Sequence, residues 1–154
     1  MKLNLKSLSE LEKFAQKFAH ALKKGSCVTL QGELGTGKTT FIALVGKYLN
    51  VTEYITSPTF TLVNKYQGKM EIYHLDLYRI NSETDLYNMD IEYYFRKKNA
   101  LVFVEWAEKL ESFYPQEYLK IEIEFGENNT RIFQITAQGP KYEDFIQRLN
   151  TVDN

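Results

Sequence analysis

Residues 32–39 read Gly32-Glu33-Leu34-Gly35-Thr36-Gly37-Lys38-Thr39, a complete G-x-x-x-x-G-K-[ST] phosphate-binding loop. The motif constrains the fold because it works only between a strand and a helix. Its glycines let successive backbone N–H groups turn inward around a polyphosphate, at the positive end of the helix that follows. Lys38 brings a mobile cation to the β- and γ-phosphates, and the Thr39 hydroxyl suits Mg²⁺. The flanks agree: Cys27-Val28-Thr29-Leu30-Gln31 reads as a buried strand entering the loop, and Phe41-Ile42-Ala43-Leu44-Val45 as an apolar helix leaving it. The expected ligand is a nucleoside triphosphate.

The rest of the chain supplies layers for that unit. Leu11, Phe14, Ala15, Phe18, Ala19 and Leu22 recur at helical spacing, predicting a helix over 8–23 capped by Ser7 or Ser9. Pro58 forces an extended passage through Ile55–Phe60. Phe60–Tyr66 and Met70–Asp76 read as paired strands around Gln67-Gly68-Lys69. Residues 82–97 read as one helix with Ser82 as its cap and Asp85 three positions on. Leu101–Val104 has the unbroken apolar run of a central strand, and Leu119, Ile121, Ile123 and Phe125 alternate with charges. Gly126–Asn129 turns into a strand near 131–137, and Gly139-Pro140 opens a terminal helix. This order predicts an α/β fold of the P-loop NTPase type in three layers, its mixed sheet a parallel core extended by antiparallel hairpins. At 154 residues, 1–154 is expected to be a single domain. A net charge of −1 provides no global field for gripping nucleic acid. Cys27, the only cysteine, excludes an internal disulfide. With no signal-like or membrane-spanning apolar stretch, a cytoplasmic location and no membrane partner are expected.

Ligands of such sheets sit at the carboxyl ends of the strands, so residues following 101–104 should converge on the loop. Glu105 then takes the place where these NTPases carry an acid for the Mg²⁺ shell, usually Asp. Its longer side chain reaches the metal directly or through water; the plainer alternative is a surface carboxylate. Trp106 either roofs the site or fills core. In His74-Leu75-Asp76-Leu77-Tyr78-Arg79, the first, third and fifth residues share one face of an extended chain. Asp76 is the candidate to orient an attacking or metal-bound water, with His74 and Tyr78 holding it and Arg79 neutralising phosphate charge. An ordinary amphipathic strand gives the same alternation. Ser57 or Thr59 stands where a γ-phosphate sensor would, though Ser-Pro is also plain turn chemistry. His20 belongs to the helix surface or boundary.

A guanine-reading Asn-Lys-x-Asp element is missing: Asn64-Lys65-Tyr66-Gln67 lacks the Asp and lies in an early hairpin. Arg79, Arg96, Arg131 and Arg148 are scattered, with no lid-like insertion to carry them, which weighs against the alternative of a P-loop small-molecule kinase. Taken together, the loop through Thr40, Ser57-Pro58-Thr59-Phe60, His74-x-Asp76-x-Tyr78-Arg79 and Glu105-Trp106-x-Glu108 resemble the bacterial TsaE family of ATPases in tRNA threonylcarbamoyladenosine biosynthesis, over roughly residues 5–140. The resemblance implies a Mg²⁺-dependent ATPase, weak alone, binding ATP and ADP. It implies two partners, the threonylcarbamoyl-transferase subunit and its paralogous scaffold, with tRNA reached only through that complex. Carried over residue by residue, it assigns nucleotide binding to Glu33, Leu34, Gly35, Thr36, Gly37, Lys38, Thr39 and Thr40, with further contacts from Ser9 and Arg131. It assigns Mg²⁺ to Thr39 and Glu105, and catalysis to Asp76, Glu105 and Lys38.

Overall fold

The computed structural model describes residues 1–151. Seven strands form one mixed sheet in the order β1-β7-β6-β2-β5-β4-β3. They are β1 (Lys2–Leu5), β2 (Cys27–Gln31), β3 (Val63–Gln67), β4 (Glu71–Asp76), β5 (Ala100–Glu105), β6 (Tyr118–Phe125) and β7 (Arg131–Gln138). The four central strands β6, β2, β5 and β4 run parallel; β7 and β1 extend the sheet antiparallel on one side and β3 on the other. A parallel core with antiparallel extensions is therefore what the chain builds.

Helices α1 (Leu8–Ala21), α2 (Lys38–Tyr48) and α5 (Glu143–Thr151) cover one face. There Phe14, Phe18, Phe41, Phe133 and Phe145 interlock, mostly edge to face, with ring centroids 5.0–5.9 Å apart. Such geometry matches the positive ring edge to the negative ring face. The other face is closed by α3 (Glu83–Asn88), α4 (Ile91–Phe95) and a 3₁₀ segment, Ala107–Phe113, over Tyr73, Leu75, Val102 and Val104. β5 lies under both layers and is buried along its whole length, as an uninterrupted apolar run requires.

Several boundaries differ from the sequence reading. α1 stops at Ala21, with Ser7 as its cap accepting from Glu10 N–H. The expected helix over 82–97 is two short helices, because Asp90 adopts a left-handed conformation (φ 53°) that breaks the hydrogen-bond ladder between them. β3 starts at Val63 rather than Phe60, since Leu62 turns the chain at φ 65°. The terminal helix is preceded by a 3₁₀ turn, Pro140–Tyr142. β1 has no counterpart in the sequence reading: Lys2–Leu5 pairs with β7, and Leu3 and Leu5 pack against the core. No described helix is long and apolar enough to cross a membrane.

Register fixes where the chemistry gathers. Leu30, just before the phosphate loop, pairs with Glu105, and Glu105 pairs with Asp76 on its other side. Three strands thus end at one edge.

Candidate nucleotide site

Gly32 leaves β2 with φ 150°, and a methyl group there would be driven into the Ile123 carbonyl oxygen of β6. Only a residue without Cβ lets the loop depart so close to the neighbouring strand. At the far end Gly37 is the α2 N-cap in a left-handed conformation (φ 103°, ψ 22°) with no side-chain cap bond. The first helical N–H with a backbone acceptor is that of Phe41, on Gly37 O at 2.9 Å. Among the described residues, the N–H groups of Lys38, Thr39 and Thr40 therefore have no backbone partner and carry the positive end of the helix. A Cβ on Gly37 would meet no protein atom within 4 Å. The loop is an open cradle of donors.

Lys38 is 5% exposed and folded back on the loop, donating to Gly32 O at 2.7 Å and Glu33 O at 3.0 Å. Its ammonium also lies 4.1 Å from the ring centroid of Trp106. Burial pulls its pKa below the ordinary lysine value, and the carboxylates of Glu105, Glu108 and Asp76 push the other way. Trp106, half-buried in a left-handed conformation (φ 56°), packs on Tyr78 at 5.0 Å between centroids. It therefore walls the site on one side while packing against the core under α3 and α4 on the other.

Glu105 is 3% exposed. Its Oε1 accepts from Thr39 Oγ1 at 2.6 Å and faces His74 Nε2 at 2.9 Å. The loop hydroxyl and the strand-end acid, 66 residues apart in sequence, thus meet. Asp76, also buried, is fully engaged. Its Oδ1 accepts from Tyr78 N–H at 2.9 Å, while Oδ2 accepts from Ser57 Oγ and, at 3.4 Å, from Thr59 Oγ1. The expectation that His74 and the Tyr78 side chain hold Asp76 is corrected here. His74 turns to Glu105 across the strand pair, Tyr78 contributes only its backbone, and the hydroxyls of Ser57 and Thr59 take the remaining oxygen. No residue in the β4 pattern could have announced those hydroxyls; they arrive from the extended passage at Pro58.

Lys38, Thr39, Thr40, Asp76 and Glu105 line one cavity of about 420 Å³ with Leu34, Gly35 and Gly37. A larger cleft of about 680 Å³ lies on the other side of the loop, but Glu33, Glu108, Glu122 and Glu124 line it and would repel a polyphosphate. The smaller cavity, with its lysine and helix terminus, is the one suited to anions. Glu33 and Thr36 belong to the loop's inner scaffold: Thr36 Oγ1 donates to Glu33 O at 2.9 Å. Arg131 stacks on Phe125 at 4.6 Å, and Phe125 borders Gly35. Arg131 also pairs with Leu5 of β1, four residues before Ser9, so both outlying candidates lie on the β1–β7 side of the loop. Arg79 faces outward, over the exposed ring of Phe60 at 5.0 Å. His20 is exposed on α1.

The donor set fits nucleotide-bound Mg²⁺. Thr39 and Glu105 are hard oxygen donors at contact distance, and among the described residues no group of three or more His, Cys, Asp or Glu side chains could hold a metal unaided. Mg²⁺ characteristically takes one or two protein oxygens and completes its shell with phosphates and water.

Comparison with known proteins agrees with this architecture. Residues 5–133 match the family model described as threonylcarbamoyl adenosine biosynthesis protein TsaE. A tRNA threonylcarbamoyladenosine biosynthesis protein TsaE from Bacillus subtilis (strain 168) is 36% identical over 146 residues, 94% of this chain and 90% of that protein. One from Nostoc sp. (strain PCC 7120) is 36% identical over 129 residues, 81% of this chain and 78% of its own. The crystal structure of B. subtilis YdiB superimposes with a TM-score of 0.85 at 32% identity, covering all of this chain and 96% of the other.

Proposed function

The chain belongs to the TsaE family, and on that premise we propose that it is an ATP-binding and ATP-hydrolysing subunit serving threonylcarbamoyladenosine modification of tRNA. The observation that carries this reading is the 2.6 Å contact between Thr39 Oγ1 and Glu105 Oε1 at the mouth of an uncapped, lysine-bearing phosphate cradle. The N–H groups at the start of α2 bind phosphate oxygens, and Lys38 leaves its carbonyl partners for the β- and γ-phosphates. Thr39 and Glu105 would hold the nucleotide's Mg²⁺, which would supply charge neutralisation to the phosphates. Asp76 orients the attacking water, released for that task from Ser57 and Thr59. Arg131 and Ser9 contact the nucleoside side of the ligand.

In this reading the transfer chemistry belongs to partners, the threonylcarbamoyl-transferase subunit and its scaffold, and ATP turnover here drives their cycle. The near-neutral charge supports a subunit that meets tRNA only through the complex. The test is ATP turnover, alone and with the two partner subunits, for wild type, Lys38→Ala and Glu105→Ala. The expected outcome is phosphate release that rises with the partners and falls to background in both variants. Unchanged turnover in either variant would refute the assigned site, and a phosphorylated metabolite in place of free phosphate would identify a kinase.

A further inference from the structure

We propose that His74 is a positioning residue for Glu105, anchoring the carboxylate so that one defined oxygen is presented to the metal of a nucleotide complex. The inference rests on the nucleotide–metal site proposed above. His74 is fully buried on β4, with Phe103 of β5 on one side and Asn64 of β3 on the other in the sheet register. A carboxylate can only accept, so the 2.9 Å contact with Glu105 Oε1 places the ring proton on Nε2. Nδ1 has no hydrogen-bond partner among the described residues. A buried nitrogen without a protein partner is a standing cost that an apolar side chain at the same position would avoid. The contact with Glu105 is what the imidazole provides in return.

Oε1 receives two donors, His74 from the sheet and Thr39 from the loop. Oε2 accepts no protein hydrogen bond among the described residues, and Glu105 lines the nucleotide cavity, so Oε2 is the oxygen left for the metal shell. The two donors differ in kind. Thr39 belongs to the loop that must wrap and release phosphates, whereas His74 is fixed in the middle layer. The anchor from β4 holds the carboxylate in place whether or not the loop is engaged. Groups that orient a metal ligand in this way typically govern metal affinity by about 10–100-fold.

The test uses calorimetric titration of the full chain with a non-hydrolysable ATP analogue, in EDTA and in Mg²⁺, for wild type, His74→Leu, His74→Asn and His74→Gln. Leu removes the donor at similar volume; Asn keeps an amide too short to reach Glu105; Gln places an amide near the position of Nε2. The expected result is unchanged affinity in EDTA for all four, loss of Mg²⁺-dependent strengthening by about 10-fold or more in the Leu and Asn variants, and its retention in Gln. Full strengthening in Leu or Asn overturns the inference, as does failure of Gln to rescue or a parallel loss of affinity in EDTA. If wild type itself shows no strengthening by Mg²⁺, the fault lies with the nucleotide–metal site and not with His74. In ¹⁵N–¹H spectra the His74 ring should show the Nε2–H tautomer, and an Nδ1–H tautomer would equally overturn the inference.

Discussion

Asp76 and Glu105 are adjacent across β4 and β5, yet their environments assign them different work. Glu105 shares one oxygen between the loop and the sheet, while Asp76 gathers Ser57, Thr59 and the Tyr78 backbone. Replacing Asp76 with Asn should leave affinity for ADP near wild type and lower hydrolysis by about 100-fold, the usual contribution of a positioned base; phosphate release beside an ADP titration checks both. Both acids could be read from the sequence: Glu105 ends an unbroken apolar run, and Asp76 shares one face of an extended segment with His74 and Tyr78. Their partners could not. The link from His74 to Glu105 depends on β4 lying beside β5, and that from Lys38 to Trp106 on a left-handed turn after Glu105. Neither is encoded in the local pattern of its own strand. Cys27 has a residue-scale consequence too. Burial pushes its thiol up to about 12, so it should resist an aromatic disulfide reagent in the native protein at mildly alkaline pH and react on denaturation.

The elements divide by how much of their definition is local. α1, α2, β2, β5 and β6 carry their own periodicity and were legible. β1 was not, since four residues of alternation are too few to separate from a disordered start. The break at Asp90 was hidden because both flanking segments read as helix. The Pro140–Tyr142 turn has a role invisible in sequence: the Tyr142 hydroxyl accepts from the backbone N–H of Cys27 at 2.8 Å, fastening the chain's last elements to the first residue of the phosphate-loop strand. Tyr142→Phe leaves that N–H buried and unpaired. Chemical denaturation should find the variant less stable by about 1–3 kcal/mol, the cost of an unmet buried donor, with nucleotide affinity unaltered.

For the molecule as a whole, the alkaline limit of stability follows from buried neutral groups. Burial raises Tyr142 and Tyr114 from an ordinary 10.0 to about 12, and Cys27 from 9.0 to about 12. The unfolded chain therefore gives up these protons at lower pH than the folded one. Their contribution is fully present below about pH 9 and is lost as pH climbs toward 12. Melting temperatures should hold up to about pH 9 and fall steeply above it. Metal binding should likewise be a property of the assembled complex: two protein oxygens are too few on their own. Titration with Mn²⁺ is expected to give no specific binding to the free chain and stoichiometric binding once ADP is present.

The stacking of Lys38 on Trp106 has one more consequence. Trp106 is the only tryptophan in the chain, and its ring lies 4.1 Å from the Lys38 ammonium, the cation that a polyphosphate in the proposed site would draw away. Tryptophan emission, excited apart from that of the eleven tyrosines, should therefore act as a single-site optical gauge of the proposed nucleotide site, so filling and emptying of the cradle should be followable in real time without any attached dye.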